Sequence, residues 1–209
     1  MITPPPLLRA STLECQRGES LLFSDIHLEL STGQILQVGG ANGTGKTSLL
    51  RILAGLSRPA EGEVCWRGEN ILTSRSRYAA EMAYMGHHLG LKGELTVMEN
   101  LRFGMALYDK PGADARWQYS LERVGLLHRE HFPVRTLSAG QRQRVALARL
   151  LATEALLWIL DEPFTALDTH GIALVQDLLD EQASRGGMAV ITSHQPITLR
   201  RTLLQLSLG

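Results

Sequence analysis

The chain has 209 residues, enough for one sizeable α/β core and short for two independent domains. Lys+Arg and Asp+Glu both number 21, so the formal charge is zero and nothing electrostatic recommends a nucleic-acid or anionic-membrane surface. Cys15 and Cys65 lie far apart without metal-type spacing, which fits a reducing compartment and argues against a disulfide framework or a zinc site.

Met1 to Pro6 carries neither a basic nor an apolar signal segment, and the most apolar region, Val145 to Leu160, is interrupted by Arg149 and Glu154. The chain is therefore expected to be soluble by itself, with any membrane role exerted through a partner. Leu7 to Leu30 reads as short strands, with Gly18 and Ser31-Thr32-Gly33 supplying the turns. The apolar run Ile35-Leu36-Gln37-Val38 then feeds Gly40-Ala41-Asn42-Gly43-Thr44-Gly45-Lys46-Thr47-Ser48, and a helix follows, closed by Gly55 as its left-handed C′ residue.

That stretch fits Gly-x-x-x-x-Gly-Lys-[Ser/Thr] with a strand before it and a helix after it. Each residue type has a reason. Glycines allow positive φ and let backbone N–H groups approach phosphate oxygens, and the helix starting near Lys46 directs its positive end at the same anion. Lys46 can reach the β- and γ-phosphates, and the Thr47 hydroxyl can hold Mg²⁺. A chance match in a chain of this length is expected roughly once in a hundred, and the strand–loop–helix setting makes it rarer. A nucleoside triphosphate site is the working premise.

Glu61 to Gly68 reads as a strand bounded by glycine, and Gly86-His87-His88-Leu89-Gly90 follows Tyr78 to Met85. From Thr96 to about Leu127 apolar residues recur at helical spacing, broken at Asp109-Lys110-Pro111-Gly112, which predicts a small helical insertion. Ser138 with Gln141 three residues on predicts a capping box and a helix through Val145, Ala148 and Ala152. Leu156 to Leu160 reads as a central strand covered on both faces, and it ends in Asp161-Glu162-Pro163. Ligands gather at the carboxyl ends of strands in open α/β sheets, so one acid can hold Mg²⁺ while the next takes a proton from water. Met188 to Ser193 is another buried strand, with His194 at its carboxyl end. Arg142, Arg144 and Arg149 share a helix and read as a solvated or ion-paired face. There are no repeats, low-complexity tracts or heptads.

In this order the segments resemble the ATP-binding cassette (ABC) ATPases across nearly the whole chain. Gly40 to Thr47 resembles the Walker A loop, and Leu137-Ser138-Ala139-Gly140-Gln141 the signature sequence with Ala at its usual third-position Gly. Leu156 to Glu162 resembles Walker B with its catalytic glutamate, Ala166-Leu167-Asp168 the D-loop, and His194 the switch histidine. The resemblance implies an α/β fold: a P-loop NTPase (RecA-like) core with an antiparallel β subdomain (1–88 and 136–209) and a small α-helical subdomain (89–135). It implies ATP and Mg²⁺ as cofactors and a second copy of the chain as partner. Two ATPs would be sandwiched head to tail, with Ser138, Gly140, Gln141 and Asp168 closing the other copy's site. Thr47 and Asp161 would hold Mg²⁺, while Glu162 and His194 would be catalytic. Where the family usually has Gln against the metal this chain has His88, whose imidazole adds protonation chemistry near neutral pH. Arg17 stands where an aromatic usually stacks on adenine, and a guanidinium plane can also stack on a base.

A narrower resemblance rests on Gly55-Leu56-Ser57-Arg58-Pro59, Gly86 to Lys92, Glu94-Leu95-Thr96 with Glu99-Asn100-Leu101, Trp158 to Ala166, and Ser193-His194-Gln195-Pro196. These are similar to ATP-binding subunits of cytochrome c maturation (haem exporter) systems. That likeness implies a membrane-spanning permease, haem-handling maturation proteins as partners, no nucleic acid, and the cytoplasmic face of a bacterial inner membrane. Asp168-Thr169-His170-Gly171 formally matches a GTPase motif, but no Asn-Lys-x-Asp accompanies it. A different small ABC exporter, or a soluble ABC ATPase of DNA repair or translation, remains the alternative. Haem or metal ligation by His87-His88 or His128-x-x-His131 has little support from paired histidines alone.

Overall fold

The computed structural model describes residues 6–106, 114–194 and 196–209. The break expected at Asp109 to Gly112, and Gln195, lie outside the described residues. Two sheets organise the rest. In the first, β1 (Leu8–Arg17) and β2 (Ser20–Leu30) form a hairpin turned at Gly18, φ +60°, and β4 (Glu61–Trp66) and β5 (Glu69–Asn70) extend it antiparallel in the order β2-β1-β4-β5. Where the sequence suggests short strands, β1 and β2 are 10 and 11 residues long. Register slips between Ala10 and Leu13 and between Leu13 and Cys15, with Thr12 and Asp25 at positive φ, interrupt the two-residue alternation. Bulges of this kind make one long strand read as two short ones.

The second sheet is parallel, in the order β6-β7-β8-β3-β9, built from β3 (Ile35–Gly40), β6 (Met82–Met85), β7 (Leu157–Leu160), β8 (Met188–Thr192) and β9 (Leu203–Leu208). Its inner strands are buried on both faces, as their unbroken apolar runs predict. Leu157, Ile159, Met188 and Val190 point into the core shared with the antiparallel sheet. Trp158, Leu160, Ala189 and Ile191 point into the core covered by the remaining helices. Ile159→Ala would remove a fully buried side chain from the middle of this sheet and is expected to cost about 2–5 kcal/mol.

Helix α1 (Lys46–Leu53) follows β3 directly and buries Leu49, Leu50, Ile52 and Leu53. It ends as expected. Gly55, φ +69°, donates to Ile52 O at 2.9 Å and Leu56 donates to Arg51 O at 2.9 Å, which is the Schellman pairing. After α2 (Arg75–Glu81), helices α3 (Val97–Ala106) and α4 (Asp114–Arg123) pack on α5 (Ala139–Thr153) through Val97, Leu101, Trp117, Leu121 and Val145. Helix α6 (Thr169–Ser184) covers β8. Both α6 and β9 go unread in the sequence; Leu203-Leu204-Gln205-Leu206-Ser207-Leu208 alternates only weakly and pairs with β3 along its whole length. Among the described residues no helix is long and apolar enough to cross a membrane.

Candidate functional site

Strands β7, β8 and β3 are neighbours, so residues just past their carboxyl ends meet at one edge of the parallel sheet. A cleft of about 470 Å³ opens there, and Lys46, Thr47, Asp161, Glu162, His194 and His87 are among the residues that line it. Asn42, Gly43, Gly45, Ser48 and Arg17 also reach it, with Leu22 and Thr165 between them.

The Gly40–Gly45 loop takes its shape from glycine. Gly40, Gly43 and Gly45 have φ of +133°, +89° and +96°. A Cβ at Gly40 would lie 2.5 Å from Leu208 O, and one at Gly45 would lie 2.9 Å from the Phe23 ring. A Cβ at Gly43 would meet nothing within 4 Å, so the loop surface there is open. Thr44 N–H turns back to Ala41 O, and Gly45 caps α1 with no side-chain bond, leaving the first N–H groups of that helix for another acceptor. Lys46 is nearly buried, and its ammonium donates to Gly40 O at 2.8 Å and Ala41 O at 3.0 Å. A buried cation held by neutral carbonyls beside a ring of backbone N–H groups suits a polyphosphate anion.

Asp161 is 3% exposed. Its Oδ2 accepts from Thr47 Oγ1 at 2.8 Å and its Oδ1 from Thr192 Oγ1 at 2.8 Å. Both recorded partners are neutral hydroxyls, so the carboxylate with Thr47 forms an all-oxygen donor set that fits a hard divalent cation such as Mg²⁺. Burial first, and the Asp161 charge second, push the Tyr84 hydroxyl up, which keeps that neighbour protonated. Glu162 adopts φ +55°, a conformation that L residues disfavour, and its N–H donates to Thr192 Oγ1 at 2.8 Å. Its Oε1 is buried without a hydrogen bond, with His194 Nε2 3.4 Å away. A carboxylate oxygen without a hydrogen bond at a cleft wall is placed to accept a proton from water.

The remaining expected residues lie elsewhere. Ser138 caps α5 and forms the full box: its Oγ accepts from Gln141 N–H at 3.2 Å, and Gln141 Oε1 accepts from Ser138 N–H at 2.9 Å. Gly140 packs on the turn after Glu162, where a Cβ would sit 2.9 Å from Ala166 O. Asp168 caps α6 by accepting from Gly171 N–H at 2.7 Å, and that bond, aided by Arg144, holds its carboxyl below the usual range. None of these four lines the cleft of its own chain. His88 does not line the cleft. The cleft is lined by His87, and His88 is the next residue along, its ring centroid 5.6 Å from that of His87. Both histidines lie in the bend that follows β6, and of the two only His87 reaches the cleft. Arg142, Arg144 and Arg149, expected on a solvated or ion-paired face, donate to main-chain carbonyls of Leu137, Val124, Gly90 and Leu89, tying α5 to the segments around it, and Arg144 also pairs with Asp168 at 3.4 Å. Sequence reading missed His87 and Thr192; His87 lies two residues past the end of β6, a position just beyond a parallel strand's carboxyl end that could have pointed to it, while Thr192 is the last residue of β8 and carries no such mark.

The ABC transporter family model matches residues 23–165. The chain is 58% identical over 202 residues to a "Cytochrome c biogenesis ATP-binding export protein CcmA" of Methylococcus capsulatus, covering 97% of this chain and 98% of that one. It is 48% identical to the protein of the same description in Pasteurella multocida, over 92% of this chain and 91% of that one. A solved structure described as the ATP-binding subunit of an ABC transporter superimposes with a TM-score of 0.80 at 25% identity, over 90% of this chain and 80% of the other.

Proposed function

The chain belongs to the ABC transporter family and is an ATPase of that family, and from this premise we propose that it is the energy-coupling subunit of a membrane complex in c-type cytochrome biogenesis. The observation that carries the chemistry is the convergence of Lys46, Thr47, Asp161 and Glu162 on one cleft at the strand ends. The cytochrome role rests on the likeness to the two curated relatives.

Lys46 and the N–H groups of the Gly40–Thr47 loop and Ser48 bind the β- and γ-phosphates of ATP. Thr47 and Asp161 hold Mg²⁺, which when bound neutralises charge on the phosphate oxygens. Glu162 Oε1 accepts the proton of the attacking water, and His194, 3.4 Å from it, donates to the γ-phosphate oxygens as charge develops there. Arg17, which reaches the cleft, would stack its guanidinium plane on the base. His87 takes the place beside the cleft that His88 was expected to fill. Ser138, Gly140, Gln141 and Asp168, absent from their own cleft, complete the site of a second copy. The α3–α4 region, within 89–135, forms a small helical subdomain packed on α5 of the nucleotide-binding core. The partners are that second copy, a membrane-spanning permease and haem-handling maturation proteins, at the cytoplasmic face of the bacterial inner membrane.

The test is affinity purification of Glu162→Gln in mild detergent with ATP present, followed by mass spectrometry. A small multi-span permease with haem-handling proteins is the expected catch. Recovery of ribosomes or repair factors without membrane proteins would refute the cytochrome reading and leave the ATPase in place.

A further inference from the structure

Thr192 is fully buried at the carboxyl end of β8, the strand that lies between the one carrying Asp161 and the one carrying the phosphate loop. Its hydroxyl makes two bonds of 2.8 Å, donating to Asp161 Oδ1 and accepting from Glu162 N–H. We propose that Thr192 is a positioning residue for ATP hydrolysis, its one hydroxyl fixing both the rotation of the Asp161 carboxylate and the backbone setting of Glu162. The inference rests on Asp161 holding the metal and Glu162 accepting the proton.

The hydroxyl has a single proton. Because Glu162 N–H occupies a lone pair, that proton is directed at Asp161 Oδ1. With Oδ1 pinned, Oδ2 stays beside Thr47, where the two form one donor set. The N–H bond holds the Glu162 peptide in its left-handed conformation, with Oε1 at the cleft wall free of hydrogen bonds and His194 Nε2 3.4 Å away. A buried threonine at a strand end commonly satisfies itself on nearby main chain, and such a residue would only support the fold. Thr192 instead bonds the two consecutive residues that carry the chemistry. Outer partners of this kind orient metal-holding side chains, and losing one typically lowers metal affinity about 10- to 100-fold.

The test compares Thr192→Val, Thr192→Ser and Asp161→Asn with the full-length wild type. Binding of a non-hydrolysable ATP analogue is measured by calorimetry with and without Mg²⁺, beside kcat and thermal midpoint. Thr192→Val is expected to bind the analogue normally without Mg²⁺, to lose most of the affinity that Mg²⁺ adds, and to lower kcat about 10- to 100-fold. Thr192→Ser, which keeps the hydroxyl, is expected to restore both. A Mg²⁺ gain in Thr192→Val equal to wild type overturns the proposal, as does a loss in Thr192→Ser equal to that in Thr192→Val. If Thr192→Val is too unstable to assay, Thr192→Ser alone decides: it must match wild type in Mg²⁺ gain and kcat. Asp161→Asn separates the two levels of the argument. Should it keep the full Mg²⁺ gain, the metal reading fails and the Thr192 proposal with it; should it lose the gain while Thr192→Val keeps it, only the Thr192 proposal fails.

Discussion

The phosphate loop with its acidic partners and the helix start at Ser138 are both suited to meet a phosphate, but they differ in what their polar atoms are already bonded to. In the cleft, Lys46 rests on two neutral carbonyls, Asp161 on two hydroxyls, and Glu162 Oε1 makes no hydrogen bond, with His194 Nε2 3.4 Å away. At Ser138 the capping box is closed: hydroxyl, amide and both backbone N–H groups pair among themselves, and Gly140 is packed against Ala166 O. The first region is poised toward a ligand inside one chain. The second is a finished structural element outside the cleft of its own chain. An assembly of two copies explains why a chain would carry both.

The largest expected effect belongs to the cleft. Glu162→Gln should cut turnover about 10²- to 10⁴-fold, the scale for losing a general base, with ATP affinity nearly unchanged in equilibrium binding. Unchanged turnover would place the proton acceptor elsewhere. Next, Gly45→Ala forces φ +96° on an L residue and drives a Cβ to 2.9 Å from Phe23. It should weaken nucleotide binding, whereas Gly43→Ala, whose Cβ meets open space, should weaken it less; equal losses would show that backbone strain alone governs the loop. Gly140→Ala must push back the Ala166 carbonyl, an overpacking cost of about 1–3 kcal/mol. Its binding of ATP as a lone chain should match wild type while its turnover falls, and a fall in lone-chain binding would join the two regions in one chain.

His87→Ala is expected to slow turnover more than His88→Ala, because only His87 lines the cleft; the reverse ranking would restore the sequence-based assignment. The smallest effect concerns α3. Glu99 Oε2 accepts from Thr96 N–H at 2.8 Å and from its hydroxyl at 2.9 Å, and these bonds lower the Glu99 pKa. A carboxyl with a lowered folded-state pKa contributes stability above its unfolded value that is lost as pH falls through the folded one. Melting curves between about pH 6 and pH 3 should therefore show a slightly shallower acid-side decline for Glu99→Gln than for wild type, and parallel declines would mean the Thr96–Glu99 bonds add nothing.

What the sequence makes legible follows from how local each signal is. The loop at Gly40–Thr47, the box at Ser138, the Schellman end at Gly55 and the apolar run before Asp161 are each set by a few adjacent residues. Strand β9 depends on pairing with β3 across most of the chain, and its weak alternation carries little of that information. The β1–β2 hairpin is obscured by bulges, which shift the side-chain period midway. In the site, residue types pointed to Asp161 and Glu162, but the choice of His87 over His88 depends on the direction in which the chain leaves β6. Thr192 had no motif to mark it, since its place between Asp161 and Glu162 exists only once β7 and β8 are side by side.

The most direct test of a site shared between copies is to mix two inactive variants. Lys46→Ala disables the cleft and keeps the Ser138 helix, while Gly140→Asp disables that helix start and keeps the cleft. Each alone should be inactive, and a mixture should recover turnover in proportion to the mixed pairs formed, because each pair contains one intact cleft facing one intact Ser138–Gln141 segment. A mixture as inactive as its components, from proteins that still associate in ATP, would contradict the account and return the whole site to a single chain.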